Sequence, residues 1–273
     1  MRTRTALASV VVAVAASFST PAHAAPEEIQ VYIDDLNRIC GAGVDFHVNY
    51  VPVGSGERDY PAQQSNLRRF RVTPEFSYGV TDHVEVGLYL PLATIDRTGR
   101  ADAHGVKARV KFIGSNPGDR VFWGANLEAG YEDRALAVNP GNAELKLIGG
   151  VHAGKWLIAS NFNVDFAYAG RRPDPVAFDF DTRVSREVAK GLQLGVETYN
   201  GVGDARHFGN LSLSDQATYA VADIDLGHDF GLNLGAGYGY GGNHDHLVLK
   251  AIVSVPFGHR SRGEPPKVGA PEQ

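Results

Sequence analysis

The chain is poor in sulfur. It has one cysteine, Cys40, and one methionine in 273 residues. A single thiol excludes any disulfide within the chain and any Cys-based zinc cage. Positive charge is also short: 26 Lys and Arg stand against 31 Asp and Glu, a formal charge of -5. That balance excludes the basic footprint that nucleic-acid binding requires. Beyond the first 24 residues no apolar run is long enough for a membrane-crossing helix. No helical period of useful length lies between the apolar segments, which argues against βαβ units. Glycine (32), Phe (13) and Tyr (11) are plentiful, and 43% of residues are hydrophobic. The hydrophobic fraction excludes wholesale disorder. Abundant glycine and aromatics point to β structure with many turns.

The start of the chain reads as an export signal over residues 1–24. Arg2 and Arg4 precede an apolar stretch from Ala6 to Phe18, and Ala22-His23-Ala24 is a small-x-small cleavage site. Asn37-Arg38-Ile39 before Cys40 is no lipobox, so the thiol is not expected to carry a lipid. An exported chain of this kind is expected in a Gram-negative bacterium.

The remainder alternates with period two. In Trp156–Tyr168 the even positions are Trp, Ile, Ser, Phe, Val, Phe and Tyr, and the odd positions include Asn161, Asn163 and Asp165. Leu247–Phe257 places Leu, Leu, Ala, Val, Val and Phe on one face. Such alternation predicts long half-buried strands. About twelve are expected, near 43–52, 68–80, 83–93, 105–114, 120–132, 143–153, 155–169, 175–189, 191–200, 216–228, 230–240 and 246–257. Tight turns (at Thr81-Asp82, 115–119, Gly154, Lys190 and Asp229) alternate with other connections. Of those, 53–67, 94–104, 133–142 and 201–215 are long, while 170–174 and 241–245 are short.

Period two alone does not separate a soluble sheet from a membrane barrel. Four features favour the barrel: strands long enough to cross hydrocarbon at a tilt, an even count, loops of alternating length, and aromatics near strand ends. The last group includes Tyr50, Phe70, Tyr78, Phe112, Trp123, Tyr131, Trp156, Tyr168, Tyr238, Tyr240 and Phe257, a pattern like two interfacial girdles. The expected fold is therefore all-β, an antiparallel transmembrane barrel of about 12 strands over residues 41–257. Residues 25–40 would form a periplasmic or plugging segment, and 258–273 a disordered tail rich in Gly, Pro and charge.

The stretch from Arg71 to Leu92, RVTPEFSYGVTDHVEVGLYLPL, resembles a hairpin of outer-membrane transporter barrels encoded with aromatic-degradation pathways, the phenol meta-pathway type. The closing strand LVLKAIVSVPF, Leu247 to Phe257, is similar to the last strand of that family, whose terminal aromatic is read by the barrel-assembly machinery. The resemblance implies outer-membrane location, contact with lipid and lipopolysaccharide, and aromatic solutes. The chain departs from the pattern by continuing 16 residues past Phe257.

If the apolar face meets lipid, the other lines a lumen. The lumen-lining candidates are Arg71, Glu75, Glu85, Lys107, Arg109, Lys111, Glu128, Glu144, Lys146, Asp165, Asp179, Asp181, Arg183, Glu187, Glu197, Asp223, Asp225 and Lys250, with Asp45 beside them. Lys107, Arg109 and Lys111 form a basic stripe on one strand, while Asp179 with Asp181 and Asp223 with Asp225 form acidic stripes on two others. Opposed stripes select among charged solutes. The same charges can instead pair and fill the interior, since twelve strands fall between a filled barrel of eight and an aqueous one of sixteen.

Other motifs carry less. The glycines of Gly235–Gly242 lack the following helix that a dinucleotide fingerprint requires and read as room for bulky neighbours. His244-Asp245-His246 reads as a solvated hairpin tip, so no metal and no cofactor are expected. An outer-membrane lipid hydrolase would need a Ser with a His in reach; Ser160 and His152 have opposite parity, and His259-Arg-Ser261 lies in the tail. The expectation is a non-enzymatic channel passing small polar, charged or aromatic solutes. The alternatives are a plugged structural or loop-binding barrel, a lipid hydrolase, and a soluble periplasmic binding protein.

Overall fold

A computed structural model describes residues 28–257, except 57, 59, 171–174, 210 and 213. The signal segment and the C-terminal tail expected from sequence lie outside the described residues, as does the His259-Arg-Ser261 motif.

The chain folds into twelve antiparallel strands: β1 Ala42–Val53, β2 Phe70–Gly79, β3 Val84–Ile95, β4 Ala101–Ile113, β5 Val121–Glu132, β6 Gly141–Ala153, β7 Trp156–Ala169, β8 Ala177–Ala189, β9 Leu192–Asp204, β10 Asp215–Gly227, β11 Phe230–Gly241 and β12 Leu247–Phe257. Each pairs with its neighbours in sequence, and β1 pairs with β12 from Ala42↔Phe257 to Val53↔Leu247 to close the barrel. Closure removes the open edges that a sheet of long strands would otherwise expose. Among the described residues there is no helix.

Alternation puts the aliphatic face outside. Phe46, Val86, Leu88, Val110, Leu127, Leu147, Ile158, Val196 and Leu249 are all exposed. A soluble sheet would bury this face; a barrel in hydrocarbon displays it. Aromatics ring both ends. Phe112 meets Trp123 edge-on at 5.9 Å and Arg186 lies over Trp156 at 5.4 Å near the tight turns. At the loop end Tyr50 stacks on Phe70 at 4.4 Å, and Tyr131 and Tyr168 are exposed.

Two connections differ from the sequence expectation. The loop expected over 94–104 contracts to Asp96–Arg100, because β3 and β4 continue pairing through Thr94↔Asp102 and Ile95↔Ala101. The Asp96 carboxylate accepts from the Thr98 and Arg100 amides and closes the turn. β9 likewise runs to Asp204, shortening the loop expected over 201–215. These strand ends mix small, apolar and polar residues (Thr94-Ile95, Ala101-Asp102-Ala103-His104, Gly201-Val202-Gly203-Asp204), so hydrophobic alternation does not mark them. Pro74 and Pro91 sit where the register shifts, between Val72 and Glu75 and between Tyr89 and Leu92; neither can donate to the ladder. The β10–β11 turn carries His228 and Asp229 at φ 58° and 64°, the left-handed pair that a two-residue hairpin needs.

Candidate functional site

The barrel interior is built from inward side chains and from the N-terminal segment. Residues from Glu28 to Asn37 bond inward-facing side chains of β2 through β7 and of β12. Ile29 packs with Val51, Ala217, Tyr219, Val221 and Val248, and Lys250 Nζ donates to its carbonyl at 2.9 Å. Asn161 of β7 acts as a strand substitute for Tyr32. Its Oδ1 accepts from the Tyr32 amide at 2.7 Å and its Nδ2 donates to the Tyr32 carbonyl at 2.9 Å. The Tyr32 hydroxyl meets Tyr89 at 2.8 Å and donates to Glu128 at 3.0 Å. Lys146 and Lys111 stand 4.5 and 4.9 Å from its ring centroid, within cation–π range. Further along, Asp34 faces His152 at 3.0 Å, Lys111 Nζ reaches Asp35 at 2.6 Å, and Asn37 Nδ2 donates to Ser77 at 2.6 Å.

The segment enters past Gly79. Cys40 N donates to Gly79 O and Gly79 N to Gly41 O, both at 2.9 Å. A Cβ on Gly79 would collide with the Asn37 and Arg38 carbonyls, so the close backbone approach requires glycine.

All eighteen lumen candidates point inward, buried or half-buried. The basic stripe on β4 is real in geometry but is neutralised. Lys107 pairs with Glu132 at 2.6 Å, Arg109 with Glu75 and with Glu85 (2.8 Å), and Lys111 with Asp35. On β8, Arg183 joins Glu197 of β9 at 3.3 Å and Asp223 of β10; Lys250 completes that cluster against Glu197 at 2.5 Å. Glu128, Glu144 and Asp165 stand directly opposite one another across β5, β6 and β7, with Lys146 bonding Glu144 at 3.1 Å. Asp179 follows opposite Asn163, and Asn163 donates to Asp181 at 2.8 Å. In the closed order β4 and β10 lie six strands apart, on opposite walls. The acid stripe facing Lys107–Lys111 is therefore Asp223 with Asp225, not Asp179 with Asp181. Asp225 itself caps the β10–β11 turn by accepting from Gly227 N at 2.7 Å. Glu187 lies half-buried near the turn end of β8, and Arg71 donates to Asn66 at 2.8 Å at the loop end.

Sequence reasoning missed Glu28, Tyr32, Asp34, Asp35, His47, Tyr89, His152 and Asn161. A signal was available. Ile113, Phe122, Ile148 and Leu157 share the inward parity of the charged residues, and all are buried against Val31 and Tyr32. Apolar inward residues in a wet lumen would be unsatisfied, so something must cover them. The inward glycines behave as expected: a Cβ on Gly237 would strike the Tyr219 ring, and one on Gly235 would lie 2.8 Å from Lys250. Ser160 pairs with the Thr182 hydroxyl at 3.4 Å while His152 faces Asp34, so these two do not form a nucleophile and base. A recess of about 10 Å³, room for about one water, lies at the loop end among Asn49, Val51, Asn66, Arg69 and Arg71.

No protein-family model matches the chain, and no curated protein sequence resembles it. Solved structures do. The COG4313 outer membrane channel from Pseudomonas putida F1 superposes with a TM-score of 0.59 at 12% identity, covering 84% of this chain and 100% of that one. The KdgM porin gives 0.52 at 11%, over 79% of this chain and 99% of that one. The NanC porin gives 0.52 at 12%, over 79% and 100%. The chain shares the barrel fold of these outer-membrane proteins. At these identities the likeness is one of fold, and it does not reach the aromatic-degradation family suggested by the Arg71–Leu92 hairpin.

Proposed function

We propose that this protein is an outer-membrane channel for passive passage of small polar, charged or aromatic solutes, closed in this conformation by its own residues 28–37. The observation that carries the reading is the inversion of the barrel. Aliphatic side chains cover the outside, while charged and amide side chains line the inside. Channel barrels share that distribution and soluble sandwiches do not. The fold shared with KdgM, NanC and the COG4313 channel supports it. Outer-membrane location follows from the same reading, with the tight turns facing the periplasm and the longer loops outside. The last strand, ending in Phe257, is the part offered to the assembly machinery, and the aromatic rings meet lipid and lipopolysaccharide.

The plugged alternative is favoured by one specific observation: the Tyr32–Asn161 and Lys250–Ile29 bonds fix the segment inside the lumen. The two readings merge if the segment leaves to open the pore. Residues 28–37 carry Glu28, Asp34 and Asp35 and no base. Departure would uncover Lys111 and remove three carboxylates from the interior, favouring anions. Conductance of the refolded barrel in a planar bilayer under a salt gradient tests the function. Stepwise openings in wild type, and larger or longer ones after deletion of 25–38, are expected. An inserted barrel that stays silent even without the segment would overturn the channel reading.

A further inference from the structure

Where the segment crosses β1 and β2, Glu28 meets His47 and Glu75. One ligand atom from each of the three lies within 4.8 Å of the others. His47 and Glu75 are each 1% exposed. His47 Nε2 faces Glu75 Oε2 at 3.1 Å, while Arg109 bonds the other Glu75 oxygen. Arg109 thus orients the carboxylate and leaves Oε2 turned toward the imidazole, as partners behind metal ligands do.

Three buried atoms in this corner have no hydrogen-bond partner: Glu28 Oε1, His47 Nδ1 and Thr73 Oγ1. Thr73 is 1% exposed and stands directly opposite His47 in the β1–β2 register. Orphaned buried lone pairs are costly and call for an occupant. The local charge agrees. Glu28, Glu75, Glu85 and Glu128 gather here, whereas Arg109 is shared between Glu75 and Glu85, and Lys146 is paired with Glu144.

We propose that Glu28, His47 and Glu75 form a divalent-cation site that clamps the N-terminal segment to the β1–β2 wall. One imidazole and two carboxylates suit a zinc-type first-row ion. The imidazole offers Nδ1, or Nε2 once the metal replaces the proton held against Glu75. Ligand bonds of about 2.0–2.2 Å place tetrahedral donors roughly 3.3–3.6 Å apart, so only a pair near the 4.8 Å limit needs to close, by about 1.2–1.5 Å. His244-Asp245-His246 does not compete. Asp245 is held by Asn66 at 3.0 Å, and His246 stacks on Tyr238 at 5.8 Å.

The site stands on the geometry alone; the clamp rests on the channel reading above. The test is calorimetric titration of Zn²⁺ into the chelator-stripped, detergent-purified full-length barrel. One Zn²⁺ per chain is expected, weakened at least ~10-fold in both Glu28→Gln and His47→Gln, and unchanged in His244→Ala/His246→Ala. Glu28 lies outside the barrel wall, so Glu28→Gln leaves the strands to fold. Absence of Zn²⁺ binding in wild type, or undiminished binding in Glu28→Gln, overturns the site. In bilayers Zn²⁺ should lower the open frequency of wild type and not of Glu28→Gln; Zn²⁺ bound with no effect on wild-type openings overturns the clamp. A channel silent with and without residues 25–38 would sink the channel reading, while calorimetry would still decide the site.

Discussion

Tyr32 is the residue on which closure of the lumen should turn, and two substitutions separate its contributions. Tyr32→Phe removes the hydroxyl that meets Tyr89 and donates to Glu128. A hydrogen bond to a charged group contributes about 1.5–3 kcal/mol. The lower end applies, because Tyr89 still donates to Glu28 at 3.0 Å and Glu128 keeps Asn126 at 2.8 Å. A loss of about 1.4 kcal/mol corresponds to a tenfold shift in the ratio of released to docked segment. Tyr32→Ala removes the ring as well, which is 2% exposed among Ile113, Phe122, Ile148 and Leu157. Deleting a buried aromatic costs about 3–5 kcal/mol, or roughly two to three and a half decades. The assay is the open fraction of single barrels in a planar bilayer at fixed voltage. The expected order is wild type, then Phe, then Ala, with Tyr168→Phe at the outer ring unchanged. Equal open fractions in wild type and Tyr32→Ala would refute the argument that docking of this segment closes the pore.

Gly79→Val should mimic release, since its Cβ meets the Arg38 backbone; Gly149→Val, where a Cβ has nothing within 4 Å, serves as control, and open fraction is the readout. Arg109→Gln leaves Glu75 and Glu85 buried without their cation, so about 3–5 kcal/mol of stability should be lost, seen as a lower temperature for loss of heat-resistant migration in detergent gels. Neutralising Lys107, Arg109 and Lys111 together should move the reversal potential in a salt gradient toward cations; an unchanged potential would remove the β4 stripe from the selectivity account. Burial holds the Asp245 carboxyl above its ordinary value of 3.8 in the loop that bonds Asn66. The folded loop therefore favours the proton, and its stability should rise as pH falls through the raised value, the gain being complete below 3.8. Hydrogen exchange across 241–247 should show that protection, and Asp245→Asn should abolish its pH dependence.

The fold was legible because period-two alternation reports the face of each residue directly. Trp156–Tyr168 and Leu247–Phe257 each form a strand as that alternation predicts. The strand ends at Ala101 and Asp204 were not legible. They extend the sheet with polar residues such as Asp102 and Asp204, where no lipid face imposes alternation. Pairing inside the lumen was hidden for a different reason. Which charges meet depends on stagger around the barrel, so Arg183 finds Asp223 two strands away rather than a neighbour in sequence. The N-terminal segment was weakest in sequence. The alternation of Ile29, Val31 and Ile33 allows either a periplasmic strand or a plug, and the choice comes from side chains such as Asn161 on distant strands.

The inward apolar residues explain why a segment of this composition fits. A barrel interior filled only by ion pairs would have no use for Ile113, Phe122, Ile148 and Leu157 facing inward, since each would meet water or unpaired charge. Val31 and Tyr32 cover them, and Ile29 covers Val51, Val221 and Val248 higher in the lumen. The same ten residues bring Asp34 to His152 and Asp35 to Lys111. The segment thus supplies apolar contact on one side and counter-charge on the other, matching a wall that is mixed in the same way. Binding that depends on both is tight only when the segment is in register, because a shift along the strands separates Asp35 from Lys111 and moves Tyr32 off Asn161 together. On the proposed channel reading, a segment held this way is expected to switch between docked and released states rather than through a continuum of partial blockage.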